Sequence, residues 1–218
     1  MNVVEALANT VSKRSRTHKW SQFLALMTPG PADQIIDVGV NTVEYSESDN
    51  YLERHYASPR NITAVGIETD FTAFKLRYPD VKTITSDGTR LPFGDDAFDI
   101  AYSNAVIEHV GDRAKQLTFL RELSRVGKRG YLTTPNRYFP VEVHTRIPLL
   151  HILLPKSAFD RIASALGKSW ATGDYMCLLS RHELSDLAAE AGVEGFEIIP
   201  NRFLGFAMTY TLIWNKHP

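Results

Sequence analysis

Apolar residues along this chain fall into short, nearly continuous runs separated by amphipathic stretches. Gln34–Val38, Ile62–Ile67, Val81–Thr85, Phe98–Ser103 and Gly130–Thr134 are such runs. β-Branched residues with little polar alternation suit strands buried on both faces. Between the runs, residues 49–57, 70–77 and 112–126 read as helices. Ahead of them, residues 3–15 and 18–27 read as two helices, with Trp20, Phe23, Leu24 and Met27 on one face and a break at Thr28-Pro29-Gly30-Pro31. Strands alternating with helices predict an α/β fold with a parallel sheet. After the fifth run the pattern changes: residues 135–180 carry prolines, aromatics and short apolar runs instead of one crossover helix. Residues 181–191 then read as a helix ended by Gly192, with Ser180 as N-cap and Glu183 completing a capping box. Two further strands, 194–200 and 205–213, close the chain as an antiparallel hairpin.

A chain of 218 residues, 44% hydrophobic and 22% charged, suits one soluble domain spanning 1–218. The helices of 1–30 precede the sheet, and 135–180 form an insertion or lid. A formal net charge of -1 gives no electrostatic reason to expect nucleic acid. Lys13, Arg14, Arg16 and Lys19 form a local basic run that reads more simply as a solvated helix face. The single cysteine, Cys177, excludes an internal disulfide and a zinc site of several thiolates. No segment has the length and apolarity of a membrane span or a signal peptide, so a cytoplasmic location is expected. The expected partner is a small-molecule substrate, and the sequence leaves room for a homodimer.

In open α/β sheets ligands sit beyond the carboxyl ends of the strands. The first strand ends Asp37-Val38-Gly39 and the second Gly66-Ile67-Glu68, an acid placed to accept hydrogen bonds from ribose hydroxyls. The third ends Ser86-Asp87-Gly88, and the fourth Ser103-Asn104-Ala105-Val106-Ile107-Glu108-His109-Val110. The ordered set, above all SDGTRLPFGDDAFDIAYSNAVIEHV, resembles class I S-adenosylmethionine-dependent methyltransferases of the family that includes the ubiquinone-biosynthesis enzymes. The resemblance runs from about Ile35 to Pro135. It implies a Rossmann-like seven-stranded class I methyltransferase sheet preceded by N-terminal helices, and S-adenosyl-L-methionine as cofactor. It implies further that Glu68 holds the ribose and Asp87 the adenine amino group, with Gly88 beside it. Ser103 and Asn104 would form the floor near the methionine moiety, and Asp37, Gly39 and Val40 would line the first turn. Each residue also has a plainer reading. Asp37 could cap a neighbouring helix, Glu68 could be a surface acid, and the glycines could serve turns.

The chain departs from the family after the first strand. Where two or three closely spaced glycines are usual, it continues Val40-Asn41-Thr42-Val43-Glu44. That loss disfavours a nicotinamide oxidoreductase, whose pyrophosphate needs the glycine turn. A cofactor without phosphate does not need it. The altered loop also leaves a non-catalytic methyltransferase-fold partner subunit as the alternative function. An oxygen or amine acceptor must lose a proton, and the candidate bases are His109, after the fourth strand, and His144. For either, local packing competes with catalysis. Some quinone O-methyltransferases of the family hold a metal through a Glu three positions before a Glu-His pair. Here that position is Ala105, ahead of Glu108-His109, so no metal is expected. The segment Tyr138–Leu154 reads either as an apolar lid or as a short core helix, and a lid would favour an apolar acceptor.

Overall fold

The computed structural model describes residues 3–141, 145, 147–169, 172–173 and 176–216, with side chains from Thr10 onward. Helix α1 (Val3–Met27) leads into strands and helices in the order β1 (Ile35–Val38), α2 (Tyr51–His55), β2 (Ile62–Gly66), α3 (Thr72–Arg77), β3 (Lys82–Thr85), β4 (Phe98–Asn104), α4 (Arg113–Val126) and β5 (Gly127–Pro135). Then come α5 (Leu150–Leu153), α6 (Lys156–Ala165), α7 (Arg181–Glu190), β6 (Glu197–Phe203) and β7 (Phe206–Asn215). The strands form one sheet in the order β3-β2-β1-β4-β5-β7-β6. β1 to β5 run parallel, and β7 is antiparallel to both β5 and β6. The strand order reverses between β1 and β4, which opens a crevice at their carboxyl ends.

The sheet is covered on both faces, as runs without polar alternation require. Ile36 and Val38 of β1 join a core with Phe119, Leu120, Leu123 and Val126 of α4 and Leu184, Leu187 and Ala188 of α7. On the opposite face, Ile35, Ile62, Ile100 and Tyr131 pack with Phe23 and Met27 of α1, Leu52 of α2 and Phe74 of α3. Helix α4 starts where the Asp112 carboxylate accepts from Lys115 N at 3.0 Å, and α7 starts at the Ser180–Glu183 capping box read from the sequence. In the centre of the sheet the Trp214 ring lies across Gly130, where an added Cβ would meet it at 1.9 Å. Only glycine permits that strand-to-ring approach.

Three differences from the expected elements have physical causes. Residues 3–27 form one helix, not two, because nothing between Ser15 and His18 breaks it and the Phe23–Met27 face needs a continuous rod across the sheet. The helix expected at 49–57 is only Tyr51–His55, because Asn50 adopts a left-handed conformation with φ 46°. The segment after β5 packs its own small cluster of Ile147, Phe159 and Ala163, with Leu150 against it. Among the described residues no helix is long and apolar enough to cross a membrane.

Candidate functional site

A cavity of about 810 Å³ opens where the carboxyl ends of β1, β2 and β4 and the turn after β3 converge. Gly39, Val40, Glu68, Asp87, Gly88 and His109 all line it. Asp37, Ser103 and Asn104 do not belong to that lining. His144 lies outside the described residues. None of the described residues of the segment from Tyr138 to Leu154 lines this cavity. His151 of that segment instead borders a smaller one of about 350 Å³ with Arg137, Lys156, Phe159 and Cys177.

Each strand end carries its residue for a local reason. Gly39 has φ +105°, and a Cβ there would come within 2.3 Å of Val106, so both the turn and the neighbouring loop demand glycine. Gly88 lies so close to Phe119 of α4 that a Cβ would meet the ring at 2.6 Å. Glu68 is exposed just past β2, its backbone oxygen accepting from Thr85 Oγ1 at 3.0 Å. No side-chain partner for its carboxylate is present among the described residues. Asp87 Oδ1 accepts from Thr89 N at 2.9 Å. His109 ends a 3-10 turn, Ile107–His109, with its Nε2 3.9 Å from Oε1 of the fully buried Glu108. Glu108 Oε2 accepts from Thr134 Oγ1 at 3.0 Å.

The loop that lacks glycines is ordered by side chains. Asn50 Oδ1 accepts from Asn41 N at 2.9 Å, and its Nδ2 donates to Asn41 O at 2.8 Å, as a backbone partner would. Glu44 turns inward and accepts from Arg54 at 2.7 Å and from Tyr78 Oη at 2.5 Å, with Arg77 at 3.1 Å. Partial burial and the Glu44 carboxylate push Tyr78 up to about 12. Asp49 Oδ2 accepts from Tyr45 N and Ser46 N at 2.7 and 3.0 Å. The loop is therefore held in one shape without the backbone freedom of glycine.

Of the residues outside the cavity, Asp37 and Asn104 lie beneath α1, and Ser103 points to the opposite face of the sheet. Along β1, Val38 and Asp37 point to opposite faces, which puts Asp37 on the α1 and α2 side beside Glu53. Both acids are buried, and neither Glu53 oxygen has a hydrogen-bond partner. Burial raises Glu53 to about 7, and burial followed by the Glu53 charge raises Asp37 well above the usual range. Ser103 Oγ donates to Val38 O at 2.9 Å and fastens β4 to β1. Asn104 Oδ1 accepts from Lys19 Nζ at 3.0 Å and from Thr133 Oγ1 at 2.6 Å. Burial, reinforced by the Arg16 charge, holds the Lys19 ammonium well below the usual lysine range, against the opposing pull of Glu108.

Glu53 was not singled out by the sequence, and Lys19, read there as part of a solvated basic face, is buried. The signal for Lys19 was its place four residues before Phe23, on the apolar face of α1; Glu53 had only its neighbour Leu52. Among the described residues, no group of three or more His, Cys, Asp or Glu side chains could hold a metal ion.

The cavity fits S-adenosylmethionine on three grounds. Its volume is that of a small-molecule site. The Glu68 carboxylate is unpaired and suits vicinal hydroxyls. The first turn spends its backbone donors inside the fold, since Gly39 N and Val40 N both donate to Val65 O, as a cofactor without phosphate allows.

Residues 36–133 match the family model of a methyltransferase domain. A demethylmenaquinone methyltransferase of Mycobacterium sp. strain KMS is 28% identical over 145 residues, 61% of this chain and 57% of the relative. The chain thus matches little more than half the length of that relative. Among solved structures, a methyltransferase from Aquifex aeolicus superposes with TM-score 0.55 at 14% identity, covering 89% of this chain and 87% of that one. The Burkholderia thailandensis 1,6-didemethyltoxoflavin-N1-methyltransferase, solved with S-adenosylhomocysteine, gives TM-score 0.56 at 14% identity, covering 91% and 76%. At that identity the solved structures speak for the fold alone. The domain match covers a little under half of the chain, and the sheet order agrees with it: the fold is that of class I methyltransferases, and residues 36–133 resemble their methyltransferase domain.

Proposed function

We propose that the chain binds S-adenosylmethionine in the 810 Å³ cavity and catalyses transfer of its methyl group to a small-molecule acceptor. The observation that carries this reading is the unpaired Glu68 carboxylate facing the same cavity as the Asp87–Gly88 turn and the His109 ring. When bound, the cofactor supplies an electrophilic methyl group on a sulfonium. Glu68 accepts from the ribose hydroxyls, and Asp87, whose Oδ1 serves its own turn, offers its other oxygen to the adenine amine. Gly39 and Gly88, having no side chain, let Val106 and Phe119 pack close against the turns that border the cavity. Ser103, Asn104 and Asp37 act one layer down. Ser103 and Asn104 fix the end of β4, and Asp37 with Glu53 underlies the first turn.

His109 takes the acceptor proton in this reading. Its side chain is 40% exposed at the cavity wall, with the buried Glu108 carboxylate beside it. The catalysis is metal-independent. The whole of 1–218 works as one domain in the cytoplasm, where Cys177 stays reduced.

The Mycobacterium relative is named for demethylmenaquinone, and an apolar, hydroxylated ring is the acceptor class we favour here. The test is transfer of tritium from labelled S-adenosylmethionine to a reduced demethylated naphthoquinone. Wild type is expected to label it, and His109→Ala to lose about a hundredfold in rate together with the acid limb of the pH profile. An unchanged rate and profile in His109→Ala would return that residue to a packing role. Failure of wild type to label this acceptor, with the cofactor product still bound, would remove the naphthoquinol class while leaving the cofactor reading intact.

A further inference from the structure

Beyond the carboxyl end of β5, large apolar side chains stand exposed together. Leu204 is 83% and Phe206 59% exposed at the tip of the β6–β7 hairpin, and Tyr138, Val141, Leu149 and Leu153 are exposed in the segment after β5. The two groups are tied together. Asn136 Nδ2 donates to Ala207 O at 2.8 Å and Asn136 N to Met208 O at 2.9 Å. Tyr138 N then donates to Asn136 Oδ1 at 3.0 Å, and Leu149 N to Pro140 O at 2.7 Å. The result is one apolar lip. At its tip Leu204 has φ 49°, a conformation that costs a branched side chain energy and here gains no packing in return.

What surrounds the lip indicates what it meets. Arg202 lies at the hairpin tip, its guanidinium donating to Gly205 O at 2.9 Å, and Arg181 begins α7 two residues after Leu179, which pairs with Asn136 at the base of the lip. Neither has a carboxylate partner among the described residues. Arg137 and Lys156, by contrast, are neutralised by Glu183 at 2.5 Å and Asp160 at 3.0 Å. The described part of the lip is built from a hairpin tip and a single helical turn. Protruding apolar side chains flanked by uncompensated arginines complement a fluid apolar layer beneath anionic headgroups. We propose that this lip docks the protein on the surface of an anionic lipid bilayer without crossing it. Where the proposed function holds, docking would present the edge that carries the cavity to an acceptor dissolved in the membrane.

Sedimentation with phosphatidylglycerol–phosphatidylcholine vesicles tests this, with phosphatidylcholine vesicles alone as reference. Wild type should sediment with the anionic vesicles, and raised salt should release it. Leu204→Ser/Phe206→Ser and Arg181→Gln/Arg202→Gln should each weaken that binding about tenfold or more and leave S-adenosylhomocysteine affinity unchanged. Wild type that ignores anionic vesicles overturns the proposal, as does vesicle binding unaffected by either double variant. A dimer that the Leu204→Ser/Phe206→Ser change converts to monomer would also overturn it, by assigning the lip to a second copy. Vesicle binding by a protein that fails to bind S-adenosylhomocysteine would leave the docking surface standing and remove only the methyltransferase reading.

Discussion

Glu68→Ala is expected to weaken S-adenosylhomocysteine binding about ten- to a hundredfold, with little change in thermal stability. The carboxylate is exposed at the end of β2 and has no side-chain partner among the described residues, so its removal leaves no buried group stranded. In the complex it would accept from ribose hydroxyls, and hydrogen bonds to a charged group contribute about 1.5–3 kcal/mol. That range converts to the stated loss of affinity. Glu68→Gln keeps the shape but not the charge and should fall between the two. Calorimetric titration of the three proteins measures the series. Equal affinity for wild type and Glu68→Ala would show that the ribose is held elsewhere.

The second large effect is on stability, through the acid pair beneath the cofactor turn. Burial raises Glu53 from the 4.5 of a free glutamate to about 7. Between those values the folded protein holds a proton that the unfolded chain has released. Stability therefore falls as pH rises through this window, and the penalty is complete above about pH 7. A shift of that size corresponds to roughly 3 kcal/mol. Glu53→Gln carries no charge and escapes the penalty. Below about pH 4 the two proteins should melt alike. At pH 8 the variant should melt higher, on the order of 5–10 °C for a chain of this size. Asp37 and Lys19 remain in both, but the Glu53 charge also raises Asp37, so the difference between the melting curves reports the two acids as a unit. A variant less stable than wild type at pH 8 would mean that the charged carboxylate is paired and favourable, contrary to the geometry.

The fold was legible in the sequence because its strands are buried on both faces. Runs such as Ile62–Val65 and Ile35–Ile36 cannot sit at a half-exposed surface, and the hydrogen-bonding residues at their ends mark where each stops. The hairpin of β6 and β7 was readable from β7, whose apolar run is buried along most of its length, although the strand ends moved by up to three residues. The continuity of α1 was not readable, since a polar stretch such as Ser15–His18 suits a solvated helix as well as a break. In the site, the residues at strand ends were found where they converge on one cavity, because position along a buried strand determines which edge they reach. The residues one position further back were harder. Whether Asp37 faces the cavity or the helices depends on the alternation of side chains along β1, and Asn104 met α1, whose path no local pattern reveals. Lys19 and Glu53 illustrate the limit most clearly. A buried charge looks the same in sequence as a solvated one, and only the packing of α1 and α2 against the sheet removes these two from water.

The replacement of a glycine turn by Asn41, Glu44 and Asn50 bears on the central claim. Paired side chains now fix a loop that backbone freedom usually shapes, and the cavity beside that loop is still of cofactor size. Titration of the full chain with S-adenosylhomocysteine, followed by heat, tests the claim most directly. Saturable binding at one site per chain, weakened by Glu68→Ala, is the predicted result. No heat at any accessible concentration, from a protein whose melting curve shows it folded, would contradict it.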